Sequence, residues 1–414
     1  MKLLDAALDS HVTQGSLDVV YADGARSRFG EQGAEPIVVR FTDRKAPWDV
    51  MRDPRLGAGE MYMEGRMTID PPHDVYDLVD LITRNGAWER PGQDRKLMGK
   101  RTGRIMARLE RYNARNSAKR NVAHHYDLDD RLYDLFLDAD RQYSCAYFTD
   151  PGNGLDQAQA DKKAHIAAKL YLKPGQRVLD IGCGWGGMAL YLNRVADVDV
   201  LGVTLSEEQL KVARRRAEEA GVADRVRFEL TDYRDVTGSF DRIVSVGMFE
   251  HVGAAQHRIF FNTCRNLLTP DGVALIHTIA HVDGPSATDP WTAKYIFPGG
   301  YIPALSDVAP SIEDSGLWLT DLEILRLHYA QTLDHWYDRT EAVRDKIIAL
   351  YDERFLRMWE FYLAGAITGF RHDGLANFQI QLTRRRDALP LTRDYMLAAE
   401  HRLHETVGDA IAAE

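Results

Sequence analysis

The chain has 414 residues, a formal net charge of -10 and 45% hydrophobic residues, enough apolar side chain for two or three domains with sizeable cores. This acidic balance argues against a dedicated nucleic-acid binder. Three widely spaced cysteines, Cys145, Cys183 and Cys264, form neither a zinc motif nor a disulfide scaffold and are expected to be reduced thiols; no metal site is expected.

The first residues carry acids and lack a long apolar core, so no signal peptide is expected, and no stretch approaches the ~18 consecutive apolar residues that span a bilayer. A cytoplasmic protein is the expectation. Residues 1–88 read as a small separate unit. Two β-like runs, Ser16–Tyr21 and Pro36–Phe41, precede an amphipathic helical run from Val75 to Ile82, and none carries a catalytic motif.

Residues 90–120 differ sharply in composition. Eleven Lys/Arg stand against two acids, Asp94 and Glu110, a local net of +9 in an acidic chain. Leu97, Met98, Ile105, Met106, Leu109 and Tyr112 would supply an apolar side to a helix there. The plain reading is a solvated linker. The functional reading is attraction to anionic lipid headgroups, worth ~1 kcal/mol per basic residue near the surface.

From about residue 160, strands and helices alternate. The expected strands are Arg177–Ile181, Val198–Val203, Arg225–Leu230, Phe240–Val246 and Gly272–Ile279, with helices near 187–195, 206–220 and 256–268 between them. This order predicts a parallel sheet covered on both faces. Gly316–Leu327 and Asn377–Thr383 would complete the sheet. Two amphipathic stretches, Thr332–Leu350 and Asp352–Ile367, would be extra helices on its C-terminal side.

Val178–Gly187 reads as a buried strand, a glycine loop and the start of a helix. Gly182, Gly184 and Gly186 let the backbone approach a ligand closely, and ligands of open α/β sheets lie beyond the carboxyl ends of the strands. The spacing G-x-G-x-G differs from the G-x-G-x-x-G used around a pyrophosphate. Asp180, inside the motif, would repel phosphate but suits a cation or hydrogen-bond donors. A sulfonium cofactor with an α-amino group, S-adenosylmethionine, answers both features. After the next strand come Thr204, the helix-capping candidate Ser206 and Gln209, which would meet the ribose or adenosine edge. After the third strand, Asp232 would accept from the adenine amino group and Tyr233 would flank its ring. Each of these residues alone would serve as an ordinary cap or turn residue; their placement after successive strands points to a site.

Six segments together resemble the cyclopropane fatty acid synthase family: His125–Leu128, Tyr143–Phe148, the glycine loop, Met248–Gly253, Leu275–Ile279 and Lys294–Pro303. The N-terminal unit is similar, by position and length, to the lipid-engaging domain of bacterial two-domain members. The resemblance implies an α/β fold, a Rossmann-like class I methyltransferase with roughly seven strands, helical insertions and a smaller N-terminal lipid-binding domain. The corresponding division is 1–88, a basic helical linker at 89–120, and a catalytic domain at 121–414. It also implies that Tyr143, Ser144 and Cys183 join the cofactor site.

The implied reaction adds a methylene group from S-adenosylmethionine to a cis double bond in a phospholipid acyl chain. An alkene needs no deprotonation to attack, so no Ser/His or Cys/His nucleophile pair is required. Positioning, water exclusion and a proton acceptor are required. Tyr143, Tyr147, Phe148 and Phe249 are candidate rings for steadying a transient cation. In this family the proton acceptor is a bound bicarbonate, and the resemblance carries its ligands to Cys145, Glu250, His277, the backbone of Ile279, and Tyr329. Taken singly, Cys145 reads as a buried small hydrophobe, His277 as a packed histidine, and Glu250 with His251 as a helix N-terminal pair. The expected partners are an unsaturated phospholipid bilayer, met peripherally at the inner face of the membrane through residues 90–120, and a second copy of the chain.

One departure bears on the product. Some relatives carry a cysteine in the late helix where Ala366 stands here. A different proton loss would leave a methyl-branched unsaturated chain, and water capture a hydroxylated methyl branch. A small-molecule amine methyltransferase and a non-catalytic lipid-binding scaffold are the remaining alternatives.

Overall fold

The computed structural model describes residues 2–86 and 130–411. The basic stretch at 90–120 and the motif at 125–128 lie outside the described residues. The chain divides into two compact units, and neither is one continuous stretch.

The first unit takes the described residues up to 86 together with 288–298 and 330–375. Its sheet has four short strands, β1 (Ser16–Val20), β2 (Arg26–Gly30), β3 (Ile37–Phe41) and β4 (Met67–Ile69), in the order β2-β1-β3-β4. β1 and β3 run parallel, and the other pairs are antiparallel. Leu17, Val19, Ile37, Val39 and Phe41 alternate into one core, the period-two pattern that made β1 and β3 visible in the sequence. β2 was not visible, because arginines dominate it. Arg26 and Arg28 hold the buried carboxylate of Asp18 on β1, Arg28 at 2.7 Å.

Four helices belong to the same stretch, α1 (Lys2–His11), α2 (Ala46–Arg52), α3 (Pro54–Met63) and α4 (Val75–Asn85). Asp74 starts α4 with a reciprocal cap: its side chain accepts from Asp77 N–H at 3.1 Å, and Asp77 accepts from Asp74 N–H at 3.2 Å. Leu78 and Leu81 then join the strand core.

Residues 288–298 and 330–375, which fall within the stretch 121–414 read as catalytic, fold with these N-terminal elements. Trp291, Ile296 and Met63 are buried together, with Phe361, Tyr362 and Met358 packed against them. Polar pairs tie the same pieces. Tyr62 donates to Glu360 at 2.7 Å, Tyr337 to Asp74 at 2.9 Å, and Lys294 to Glu60 at 2.6 Å. The two amphipathic stretches form helices His328–Ala342, Arg344–Leu350 and Glu353–His372. The last of these packs on α3 and α4, which its periodicity alone could not reveal.

The second unit holds a seven-stranded sheet in the order β10-β11-β9-β8-β5-β6-β7. Its strands are β5 (Arg177–Ile181), β6 (Asp199–Thr204), β7 (Val226–Leu230), β8 (Phe240–Val246), β9 (Leu268–His281), β10 (Trp318–Leu325) and β11 (Leu375–Thr383). β5 to β9 pair in parallel, and β10 with β11 antiparallel. Val178, Leu179 and Ile181 are buried because a parallel interior strand is covered on both faces. The helices of this unit are α5 (Asp130–Phe136), α6 (Leu155–Leu170), α7 (Gly187–Ala196), α8 (Glu207–Glu219), α9 (His257–Leu267), α10 (Leu305–Ser315) and α11 (Asp394–Ile411). Among the described residues, no helix is long and apolar enough to cross a membrane.

Candidate active site

The chain between β5 and α7 turns at the carboxyl edge of the sheet. Gly182 has φ +81°, and a Cβ there would lie 2.7 Å from the Met248 side chain. Gly186 has φ +84° and would meet the Phe228 ring at 2.7 Å. Both positions therefore need glycine for conformation and for space. Beside this turn lies a cavity of about 140 Å³. The same measure needs only ~10–15 Å³ for one water, so the cavity has room for a ligand. Asp180 at the end of β5 and Gly182, Cys183 and Gly184 of the loop line it, together with Tyr143 and Ser144. Thr204 enters from the end of β6, Gln209 from the first turn of α8, and Asp232 and Tyr233 from just beyond β7. Gly186 supports the turn without lining the cavity.

Two of these residues are engaged within the protein: Ser206 in the helix cap expected of it, and Asp232 in an ion pair. Ser206 does not line the cavity; its hydroxyl accepts from Gln209 N–H at 3.3 Å and caps α8. Asp232 is held by Arg234, whose Nη2 donates to it at 2.6 Å and whose Nε donates at 2.8 Å. Its carboxylate thus reaches the cavity already paired. Thr204 donates to the Gln209 side-chain oxygen at 2.9 Å, which orients that amide.

Asp180 carries the main electrostatic signal of the cavity. Its Oδ2 is buried and has no hydrogen-bond partner. Burial pushes the carboxyl up to about 7, opposed by the ammonium of Lys162. A buried carboxylate oxygen without a donor is costly, and a cationic amino group removes that cost. The residues present therefore fit the amino acid end of S-adenosylmethionine. Lys162 itself was missed in the sequence. It is fully buried, donates to Gln142 Oε1 at 2.6 Å and Ser144 Oγ at 2.9 Å, and is pushed down to about 8 by burial. The available signal was a lysine at a core-facing position of α6, seven residues before another, Lys169.

The second half of the site is built on β9 and the segment after β8. Glu250 lies in a short 3-10 turn, Phe249–His251, not at a helix N-terminus as its bland reading had it. Ile279 N–H donates to Glu250 Oε1 at 2.6 Å, while Oε2 is buried with no partner. Burial pushes this carboxyl up to about 7 as well. Its neighbours Met248, His251 and Val252 line the cofactor cavity.

The other expected ligands of an anion are placed as follows. The Ile279 N–H is taken by Glu250, so it fixes that side chain instead of facing an anion. His277 is buried, with both ring nitrogens 3.2 Å from side-chain amides of β11, Asn377 at Nε2 and Gln379 at Nδ1. Desolvation holds its imidazole neutral, well below the usual histidine range. Cys145 is buried, its thiol donating to the Ala146 carbonyl at 3.2 Å. Tyr329 is buried in the first turn of the helix that starts at His328.

Of the four candidate rings, Tyr143 lines the cavity. Phe249 does not face a ligand: it packs on His257 at 4.6 Å and Phe260 at 4.9 Å within the core. Tyr147 is stacked between His165 at 3.9 Å and His328 at 4.8 Å. Phe148 N–H donates to His328 Nδ1 at 3.0 Å.

A parallel sheet with a glycine turn, a buried unpaired acid and polar residues after successive strands defines an S-adenosylmethionine-dependent methyltransferase. The family model of mycolic acid cyclopropane synthetases matches residues 113–380. The cyclopropane-fatty-acyl-phospholipid synthase of Escherichia coli is 38% identical over 87% of this chain and 91% of its own length. The chain belongs to this family. A probable fatty acid methyltransferase of Pseudomonas putida is 44% identical over 63% of this chain and 68% of its own. The solved structure of a mycolic acid cyclopropane synthase complexed with SAH and CTAB aligns with TM-score 0.60 and 33% identity, covering 64% of this chain and 97% of that one.

Proposed function

We propose that this chain forms cyclopropane rings on unsaturated phospholipid acyl chains. S-adenosylmethionine, when bound at the Asp180 cavity, supplies an electrophilic methyl group to the cis double bond. Asp180 would anchor its amino group, the Gly182–Gly184 backbone its amino acid portion, and Gln209, Asp232 and Tyr233 its nucleoside end. Ring closure then requires loss of a proton from the added carbon, and the chain must place an acceptor in a dry site.

The observation that carries this reading is Glu250. One of its oxygens is fixed by Ile279 N–H and the other is buried and unpartnered, while its chain neighbours Met248, His251 and Val252 line the cofactor cavity. Such an oxygen suits a small oxyacid that offers a hydroxyl, and bicarbonate is the acceptor we propose. Glu250 would hold its hydroxyl, with Tyr329, Cys145 and His277 as the further groups about it. Two carboxyls kept buried against their desolvation cost also oppose a mere scaffold. The peripheral membrane contact through residues 90–120 is part of the same proposal.

A second product remains in view, because Ala366 stands where some relatives have cysteine and a fatty acid methyltransferase is among the similar proteins. The test incubates purified protein with S-adenosylmethionine and liposomes of mono-unsaturated anionic phospholipid, followed by NMR of the fatty esters. Ring-methylene signals are expected. Methylated product without them would replace the ring with a methyl-branched alkene.

A further inference from the structure

β11 carries an unusual row. Asn377, Gln379 and Gln381 alternate with Phe378, Ile380 and Leu382, and all six are buried. The apolar three belong to the core on one face of the sheet. The amides take part in a polar chain with α6 and β9.

The hydrogen-bond directions in this chain are constrained from one end. Lys169 Nζ has only donors, and it donates to Gln379 Oε1 at 2.7 Å. The oxygen of that amide is thereby assigned, so its NH₂ group faces His277 Nδ1 at 3.2 Å. An NH₂ group needs an acceptor, so Nδ1 must carry the lone pair. The ring proton then sits on Nε2. Nε2 lies 3.2 Å from the Asn377 amide, whose oxygen is otherwise buried without a partner. Turning that amide gives Nε2–H its acceptor and satisfies the oxygen in one move.

Lys169 is itself held. It pairs with Glu323 on β10, and Glu323 also takes His165 Nε2 at 2.7 Å, while His165 Nδ1 lies 3.1 Å from Glu400 on α11. Gln381 donates to the Lys169 carbonyl at 2.6 Å. The groups bonded to His277 are thus two neutral amides, with the side chains of Lys162, Lys169, His165 and Glu323 acting on it from further away.

We propose that Lys169 and Gln379 are positioning residues that lock His277 as the neutral Nε2–H tautomer, with its single ring proton directed at the Asn377 amide. This rests on the reading that places His277 near the reacting groups, but the tautomer is measurable without turnover. Outer partners that fix a histidine's tautomer are a recurrent means of orienting site imidazoles.

The test uses full-length protein labelled with ¹⁵N-histidine and two-bond ¹H–¹⁵N correlation, with the His277 signals identified by their loss in His277→Gln. In the wild type, Nε2 is expected protonated and Nδ1 unprotonated. Gln379→Glu places a carboxylate against Nδ1 and is expected to move the proton there or to give the doubly protonated ring, with a loss of turnover of tenfold or more. Should that variant fail to fold, Lys169→Met frees the Gln379 amide and is expected to give mixed tautomers. A wild-type Nδ1–H ring, or an unchanged pattern in the folded variants, overturns the proposal. Full turnover in His277→Gln would instead remove His277 from the reaction and leave the tautomer assignment intact.

Discussion

Ile279 and Glu250 are joined by a 2.6 Å hydrogen bond from a strand backbone to a buried carboxylate. The bond decides which oxygen of Glu250 is available: Oε1 is fixed to β9, and Oε2 is left buried without a partner. The rate of a reaction that needs this carboxylate ionised should rise with pH through about 7, where burial has pushed its pKa, and level off above. Glu250→Gln should lower turnover by at least ~100-fold and flatten that profile. Cofactor affinity, measured by calorimetry, should stay within about threefold. Wild-type turnover in the variant would take Glu250 out of the site.

Asp180 gives a stability signature with a defined sign. Its folded pKa, about 7, lies above the ~3.9 of an unfolded aspartate. Below both values the group is protonated in both states and costs nothing. Between them the unfolded chain loses its proton first, so the ligand-free fold loses stability as pH rises and carries the full cost above about 7. Asp180→Asn should therefore raise stability at pH 8 by about 1–3 kcal/mol and weaken S-adenosylmethionine binding by about 10–100-fold. Thermal melts at pH 5 and pH 8, with and without cofactor, check both; a variant no more stable at pH 8 than at pH 5 relative to wild type would contradict the argument.

Lys162 holds the wall that carries Gln142 and Ser144. Lys162→Met keeps its length and removes its donors, leaving Gln142 Oε1 and Ser144 Oγ without the 2.6 and 2.9 Å bonds. A loss of about 1–3 kcal/mol in denaturant unfolding is expected, with weaker cofactor binding. Unchanged values in both would make this lysine a passive filler.

In the first unit, Arg344 pairs with the buried Glu360, which also accepts from Tyr62 at 2.7 Å. Arg344→Met strands that carboxylate. Because Arg344 is half exposed, the expected loss is about 1–3 kcal/mol, short of that for a fully buried pair. Adding Glu360→Gln should restore most of it, and the cofactor affinity of either variant should match the wild type. A double variant as unstable as the single one would mean that charge burial is not the cause.

The sequence alone determined the class of fold and the cofactor turn. Periodicity and glycine spacing are local properties, so β5, its loop and the strands that follow were readable residue by residue. So were Asp180 within β5 itself, Gln209 in the helix that follows β6, and Asp232 and Glu250 a few residues beyond β7 and β8. What the tertiary structure decided are relations between distant segments. It put 288–298 and 330–375 with the N-terminal residues, because Trp291 packs on α3 and the helix Glu353–His372 on α3 and α4, and periodicity reports a face without naming its partner. It left Ser206 as a cap outside the cavity lining, paired Asp232 with Arg234, and sent Phe249 into the core. It also enclosed His277 between Asn377 and Gln379, about a hundred residues further along the chain. The alternating amides of β11 were present in the sequence, but only strand order placed them beside His277 and Lys169, and there their hydrogen-bond directions fix a proton.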